Sequence, residues 1–103
     1  VGIKYYKIKF LKSVIERDLP ALPVTIELRV NKAIQERLRV NPTKLGKPLF
    51  GRFRGYFRLR VGDYRIIYQI KARDYIVLIT AIRHRKNSIA KNSYYISYSR
   101  STY

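Results

Sequence analysis

"GYFRLRVGDYRIIYQI", Gly55 to Ile70, decides how this chain folds. Apolar and polar residues alternate up to Gly62-Asp63 and alternate again after it, the pattern of a β-hairpin closed by a tight primed turn. Folding there sets Val61 opposite Tyr64, Arg60 opposite Arg65, Leu59 opposite Ile66 and Arg58 opposite Ile67. Opposed residues share a sheet face, with Cβ atoms roughly 5 Å apart. One face is then apolar, carrying Phe57, Leu59, Val61, Tyr64, Ile66, Tyr68 and Ile70. The other carries Arg54, Tyr56, Arg58, Arg60, Arg65, Ile67 and Gln69. Like charges directly opposite one another destabilise a sheet. Between Glu36 and Asp74 the one acid is Asp63, in the turn, where it screens a single arginine. A solvated polar face accounts for isolated strand charges but not for Arg60 placed against Arg65. An anion site does account for it, because planar guanidinium groups grip phosphate through paired hydrogen bonds. Tyr56 on the same face suits stacking on a base.

The composition points the same way. The chain has 103 residues, one domain's worth, and its 47% hydrophobic content is enough for one core. A net charge of +17, from 23 Lys and Arg against 6 Asp and Glu, exceeds what solubility requires. It predicts a polyanionic partner: nucleic acid, an acidic protein or an anionic surface. Cysteine is absent and His84 is the single histidine, which excludes disulfides, Cys-bearing metal sites and His clusters. No apolar run reaches the roughly 18 residues of a membrane span. The leader "VGIKYYKIKF" interleaves lysine where a signal peptide needs an apolar stretch. The expectation is a soluble cytoplasmic protein with no membrane partner, no cofactor and no metal.

Around the hairpin, "IKYYKIKF" (residues 3–10) reads as a first strand and "LKSVIERDL" as a short helix, broken by Pro20 and Pro23. From Val24 to about Arg39, the residues Ile26, Val30, Ala33, Ile34 and Leu38 fall on one helical face. Asn41-Pro42 ends it, and "NPTKLGKPLFGRFRG" reads as a loop. Strands are expected at about 54–61, 64–71 and 75–83, the last a continuous apolar run typical of a sheet interior. The fold class is therefore α+β: an N-terminal strand, two helices, then a three-stranded antiparallel meander, with helices on one sheet face. Residues 1–86 form the domain, and the Ser/Tyr-rich segment 87–103 reads as a tail.

"AIRHRK", Ala81 to Lys86, adds a second basic cluster at the end of the last strand. Simple pairing around a 71–74 turn sets Arg65 opposite Thr80. His84 then shares the arginine face, and Arg83 and Arg85 point away. One β-bulge reverses that assignment, and the residues alone leave both registers open. A lone histidine is more often structural than catalytic, although its pKa near 6.5 in water suits proton transfer. There is no Ser-His-Asp set, no P-loop and no paired carboxylates. Glu16, Asp18, Glu27 and Glu36 sit on predicted helices and are expected to be solvated. Any chemistry must run on Arg, Lys, Tyr or His. RNA cleavage by its own 2′-hydroxyl can, since the substrate brings the nucleophile and the protein supplies orientation and charge.

"LFGRFRGYFRLRVGDYRIIYQI", followed by "YIVLITAIRHRK", resembles the RelE/ParE superfamily of toxins from toxin–antitoxin systems, across about residues 3–86. "RLRVGDYRIIY" is closer to the RelE branch, ribosome-dependent messenger RNA endoribonucleases that inhibit translation, than to the gyrase-poisoning ParE branch. The resemblance implies a metal-independent endoribonuclease with a cognate antitoxin, the ribosome and mRNA as partners. It implies Arg65 as the principal phosphate-binding arginine and Arg85 as the second. Arg58 and Arg60 follow as basic catalytic neighbours; His84 is an acid/base candidate on its own chemistry and not from the resemblance. Arg54, Tyr56, Arg83 and Lys86 are then RNA contacts. It also favours the bulged register. One departure stands out: where RelE-type chains place a tyrosine beyond the second arginine, this chain has Ile89, Ala90 and Lys91, with Tyr94 and Tyr95 further on. That keeps an alternative open: a non-enzymatic binding module, either a gyrase inhibitor or a decayed toxin that only binds its antitoxin.

Overall fold

The computed structural model describes residues 4–86. The tail assigned to 87–103, with its tyrosines, lies outside the described residues. The order is β1 (Lys7–Phe10), a single helical turn at Val14–Asp18, α1 (Val24–Ala33) continued by Ile34–Leu38, α2 (Pro42–Leu45), β2 (Lys47–Pro48), β3 (Tyr56–Val61), β4 (Tyr64–Lys71) and β5 (Ile76–His84). The strands form one sheet of five, in the order β1-β5-β4-β3-β2.

The hairpin register is as the alternation requires, Val61 against Tyr64 through Tyr56 against Gln69. Gly62 supplies the positive φ of 59° and Asp63 does not share it, as a type II′ turn demands. The sheet is larger than a strand plus a meander. β1 pairs parallel with β5, and the stretch read as a loop contains α2 and the two-residue strand β2, antiparallel to β3. Both corrections have a physical origin. β2 is too short to show alternation, and Asn41 does not merely stop the preceding helix. Its side chain accepts from the Lys44 N–H at 3.3 Å and so caps α2, with Pro42 in the first turn.

The core lies between the helices and the apolar face of the hairpin. Val30, Ala33, Ile34 and Leu38 meet Leu59, Val61, Ile66 and Tyr68, with Val77, Ile79 and Ile82 of β5. Each large apolar side chain contributes roughly 1.5–3 kcal/mol on burial. An exposed ion pair adds about 0–1 kcal/mol, so this seam and not surface charge holds the helices to the sheet. At Leu19 N–H to Val14 O (2.8 Å) and Arg39 N–H to Ile34 O (3.0 Å) the helical bonds span five residues. Such widened π-type turns shift the face each helix end presents.

Tyr68 ties the sheet to α2. It is fully buried, stacks on Phe57 with ring centroids 5.6 Å apart, and donates its hydroxyl to the Pro42 carbonyl at 2.7 Å. Gly46 makes room for it: a Cβ there would overlap the Tyr68 hydroxyl. Burial pushes the Tyr68 phenol well above its usual pKa. The folded state therefore holds this proton more tightly than the unfolded chain, whose tyrosines titrate near 10. The resulting stability is complete below about pH 10 and is lost as pH rises above it. Tyr68→Phe is expected to cost about 1 kcal/mol at neutral pH and to flatten the alkaline limb of a melting-temperature profile. An unchanged alkaline limb would contradict this role for Tyr68.

Candidate functional site

The decisive feature is a bulge. From the turn, β4 and β5 pair as Lys71 with Ile76, Ile70 with Val77, Gln69 with Leu78 and Tyr68 with Ile79. The register then shifts, and Ile67 pairs with Ala81, Ile66 with Ile82, Arg65 with Arg83 and Tyr64 with His84. The buried hydroxyl of Thr80, the extra residue, donates to the Ile67 carbonyl at 3.1 Å. Before the bulge β5 keeps the parity of simple pairing; after it, the parity is reversed. Arg83, and by alternation Arg85, thus come to the side of the sheet that carries Arg65, Arg58 and Arg60. His84 goes to the other side, edge-on to the Tyr64 ring at 5.0 Å, and its Nδ1 accepts from the Lys86 N–H at 3.2 Å. The structure does not bring His84 together with Arg58, Arg60 and Arg65; it lines a separate pocket with Arg17 and Arg83.

The arginines differ in their surroundings. Arg85 is exposed, and its backbone N–H donates to the Asp63 carbonyl at 2.7 Å while its Nε lies 3.8 Å from the Asp63 carboxylate. These contacts hold the end of β5 against the hairpin turn. The ion pair is too exposed to add much stability, so it orients Arg85 without immobilising it. Arg83 is committed elsewhere: its Nη1 lies 2.7 Å from Asp18 Oδ2, and it also donates to the Ile82 carbonyl at 3.2 Å. Asp18 is buried, which corrects the expectation that it is solvated. β1 pairs with β5 only as far as Ile79. Beyond it the Ile82 N–H needs an acceptor, and Asp18 supplies one at 2.9 Å. The sequence did carry this signal, since Asp18 follows the buried Val14 by four residues and shares its helical face.

Arg65 is the unusual member. It is half-buried, and its Nη1 is shielded from water with no hydrogen-bond partner among the described residues. A buried donor left unpaired costs about 1–3 kcal/mol, and a charged one more. Arg60, its cross-strand neighbour, is exposed, and Arg58 is half-buried. Beside them lies an apolar floor of Ile67 and Ala81, covered by Leu49, Phe53 and Tyr56. Tyr56 is thus partly buried against that floor, and Arg54 and Lys86 are exposed. The arrangement is a cationic surface with one unsatisfied guanidinium, able to bind anionic oxygens and to stabilise charge developing on them. Among the described residues there is no group of three or more His, Cys, Asp or Glu that could hold a metal ion.

Residues 8–89 match the family model described as the ParE toxin of type II toxin–antitoxin systems. Among curated proteins, the chain is 37% identical to the toxin RelE of Mycobacterium tuberculosis over 74% of its own length and 78% of that toxin's. It is 34% identical to the toxin RelG of the same organism, over 78% of this chain and 91% of the relative. Among solved structures, the crystal structure of the M. tuberculosis toxin–antitoxin complex RelBE2 contains a chain that superposes with a TM-score of 0.74 at 33% identity. The match covers 79% of this chain and 99% of that one.

Two arginine neighbourhoods on one strand pair give opposite expectations for stability. Asp18→Ala leaves the partly buried Arg83 without its counter-charge and the Ile82 N–H without an acceptor, and should destabilise by about 3 kcal/mol. Arg65→Met keeps the aliphatic stem but removes the unpaired donor and its repulsion with Arg60. It should leave stability unchanged or raise it by about 1 kcal/mol. Thermal or urea melts of both variants check this. A strongly destabilised Arg65→Met would mean that Arg65 is a structural residue.

Proposed function

We propose that this chain, which belongs to the family of ParE toxins of type II toxin–antitoxin systems, cleaves messenger RNA on the ribosome and so inhibits translation. Its identity to toxins named RelE and RelG places it on the RelE-like side of the family. The observation that carries the reading is the Arg65 guanidinium, held half-buried on the face of Arg58 and Arg60 with a nitrogen that lacks an acceptor among the described residues. A phosphate seated on that face supplies the acceptors that the described residues do not.

The strand's own 2′-oxygen attacks the neighbouring phosphorus as its proton leaves to water. The P–O5′ bond breaks, giving a 2′,3′-cyclic phosphate and a 5′-hydroxyl. Arg65 and Arg85 bind the non-bridging oxygens and stabilise the charge that grows on them. Arg58 or Arg60 holds the water that protonates the departing 5′-oxygen. Arg54 and Lys86 contact the flanking backbone. The scheme needs no metal and no cofactor, and His84 takes no part in it because it lies on the other side of the sheet from Arg58, Arg60 and Arg65. The ribosome supplies what the protein lacks, an mRNA strand held in an orientation that lines up the 2′-oxygen with the scissile bond.

In the cytoplasm a free domain of net charge +17 with this face needs a restraint. A cognate antitoxin of the kind seen in the RelBE2 complex provides it. An acidic, amphipathic segment that orders on binding would meet both the charge and the apolar floor of the surface.

A second reading has its own support. Ile89, Ala90 and Lys91 occupy the stretch in which a RelE-type tyrosine is expected, so a non-enzymatic toxin that inhibits gyrase or only binds its antitoxin remains the competing account. A translating extract separates the two. The RelE-like reading expects mRNA cut to ends bearing 2′,3′-cyclic phosphate, and a loss of about 10²–10³-fold for Arg65→Ala. Intact mRNA together with inhibited gyrase supercoiling would overturn it.

A further inference from the structure

We propose that the groove between α1 and the tip of the β3–β4 hairpin is a phosphate subsite, one that holds the backbone of the same RNA strand away from the scissile bond. The proposal rests on the RNA-cleaving reading above and extends it to residues outside the arginine face. The groove encloses about 360 Å³ and is lined by Arg29, Lys32, Arg37 and Arg60, with Glu36 the one acid. Positions 29, 32 or 33, and 36 or 37 recur along one side of the helix, so α1 and its continuation present a row of cations to the hairpin.

Three further observations point to a phosphate ligand. First, these four cations make no side-chain hydrogen bond or ion pair with the described residues, whereas Arg83, Arg85 and Arg39 all have partners. Second, the Arg29 guanidinium lies against the hairpin tip, where a Cβ on Gly62 would come within 3.1 Å of it. Gly62 thus serves both the turn, through its φ of 59°, and the close approach of a cation to the turn. Third, Arg60 belongs to both places: it lines the groove and is the cross-strand neighbour of Arg65. Arg60 thus links the arginine face to the groove beside α1. The lining includes only Ala33 and Val61 as apolar side chains. An amphipathic protein segment needs a wider apolar floor, whereas a sugar–phosphate backbone needs cations and donors.

The experiment uses the full chain and cleavage-resistant 2′-O-methyl RNA, read by fluorescence anisotropy over a series of salt concentrations. One oligonucleotide has about twelve nucleotides, within the site sizes of single-strand binders; the other is a trinucleotide, too short to reach both places. Each phosphate contact on a single strand contributes about 0.7 to the log–log salt slope. Arg29→Gln with Arg37→Gln should therefore reduce the slope for the longer strand by about 1.4 and leave the trinucleotide unchanged. Arg29→Lys with Arg37→Lys should restore most of the loss, which separates a charge effect from a folding effect. Equal slopes for wild type and the Gln variant would overturn the subsite. An AMP affinity that falls in the Gln variant while the longer RNA is unaffected would make it a free-nucleotide site and overturn the strand assignment. Loss of oligoglutamate binding without loss of RNA binding would overturn it in favour of an acidic protein segment. A wild-type chain that binds neither RNA would overturn the subsite alone, because ribosome-dependent cleavage is read separately in the translating extract.

Discussion

One extra residue in β5 decides which side chains meet. Without the shift between Ile67 and Tyr68, every residue of β5 after Ile79 would face the opposite side of the sheet. His84 would then lie with Arg65, and Arg85 among the helices. With the shift, Ile82 enters the core, and Arg83 and Arg85 come to the face of the hairpin arginines. Thr80 absorbs the irregularity by bonding the Ile67 carbonyl, and Asp18 satisfies the edge of β5 that β1 leaves open. The bulge re-aims side chains at the end of a central strand, where the sheet is otherwise fixed by its apolar pairs.

The rest of the molecule divides into a part that stabilises and a part that binds. The seam of Val30, Ile34 and Leu38 against Leu59, Ile66 and Tyr68 contains no charge. The cations are distributed by their surroundings. Arg83 has a buried carboxylate, Arg85 an exposed one, and Arg39 rests over the Tyr5 ring at 4.8 Å and donates to Gln35 at 2.7 Å. Arg65, Arg60, Arg29 and Arg37 have no such side-chain partners among the described residues. Their mutual repulsion works against folding, and the apolar seam absorbs it. A polyanion reverses the sign of that term, so the same arrangement that costs stability in the free chain favours binding.

The hairpin, its register and its two faces were legible because period-two alternation around Gly62-Asp63 admits one folding that buries Leu59, Ile66 and Tyr68. The helix from Val24 was legible for the same reason at period 3.6. β2 and the parallel pairing of β1 were not: two residues carry no period, and β1 meets β5 across nearly the whole chain. The bulge was visible only as an ambiguity. "LITAIRHR" is apolar on both sides of Thr80, so the pattern does not say where one residue is to be skipped, and the family resemblance rather than the periodicity favoured the shift. The burial of Asp18 was missed because a carboxylate on a short helix is usually solvated, and its acceptor role depends on where β1 stops. Arg29, Lys32 and Arg37 lie between the apolar positions of the helix, and its period alone does not show that the fold sets them beside Gly62 and Arg60.

The register across the bulge can be measured directly, because the chain has no cysteine to interfere. Paired residues on neighbouring strands have Cβ atoms about 4.5–5.5 Å apart, close to disulfide reach. Two double variants, Tyr64→Cys with His84→Cys and Tyr64→Cys with Arg83→Cys, are oxidised and compared by non-reducing mass analysis. The account predicts that the first pair cross-links and the second does not. Preferential cross-linking of Cys at 64 with Cys at 83 would mean that the strands run without the shift. Arg85 would then lie on the opposite side of the sheet from Arg65, contradicting the site described here.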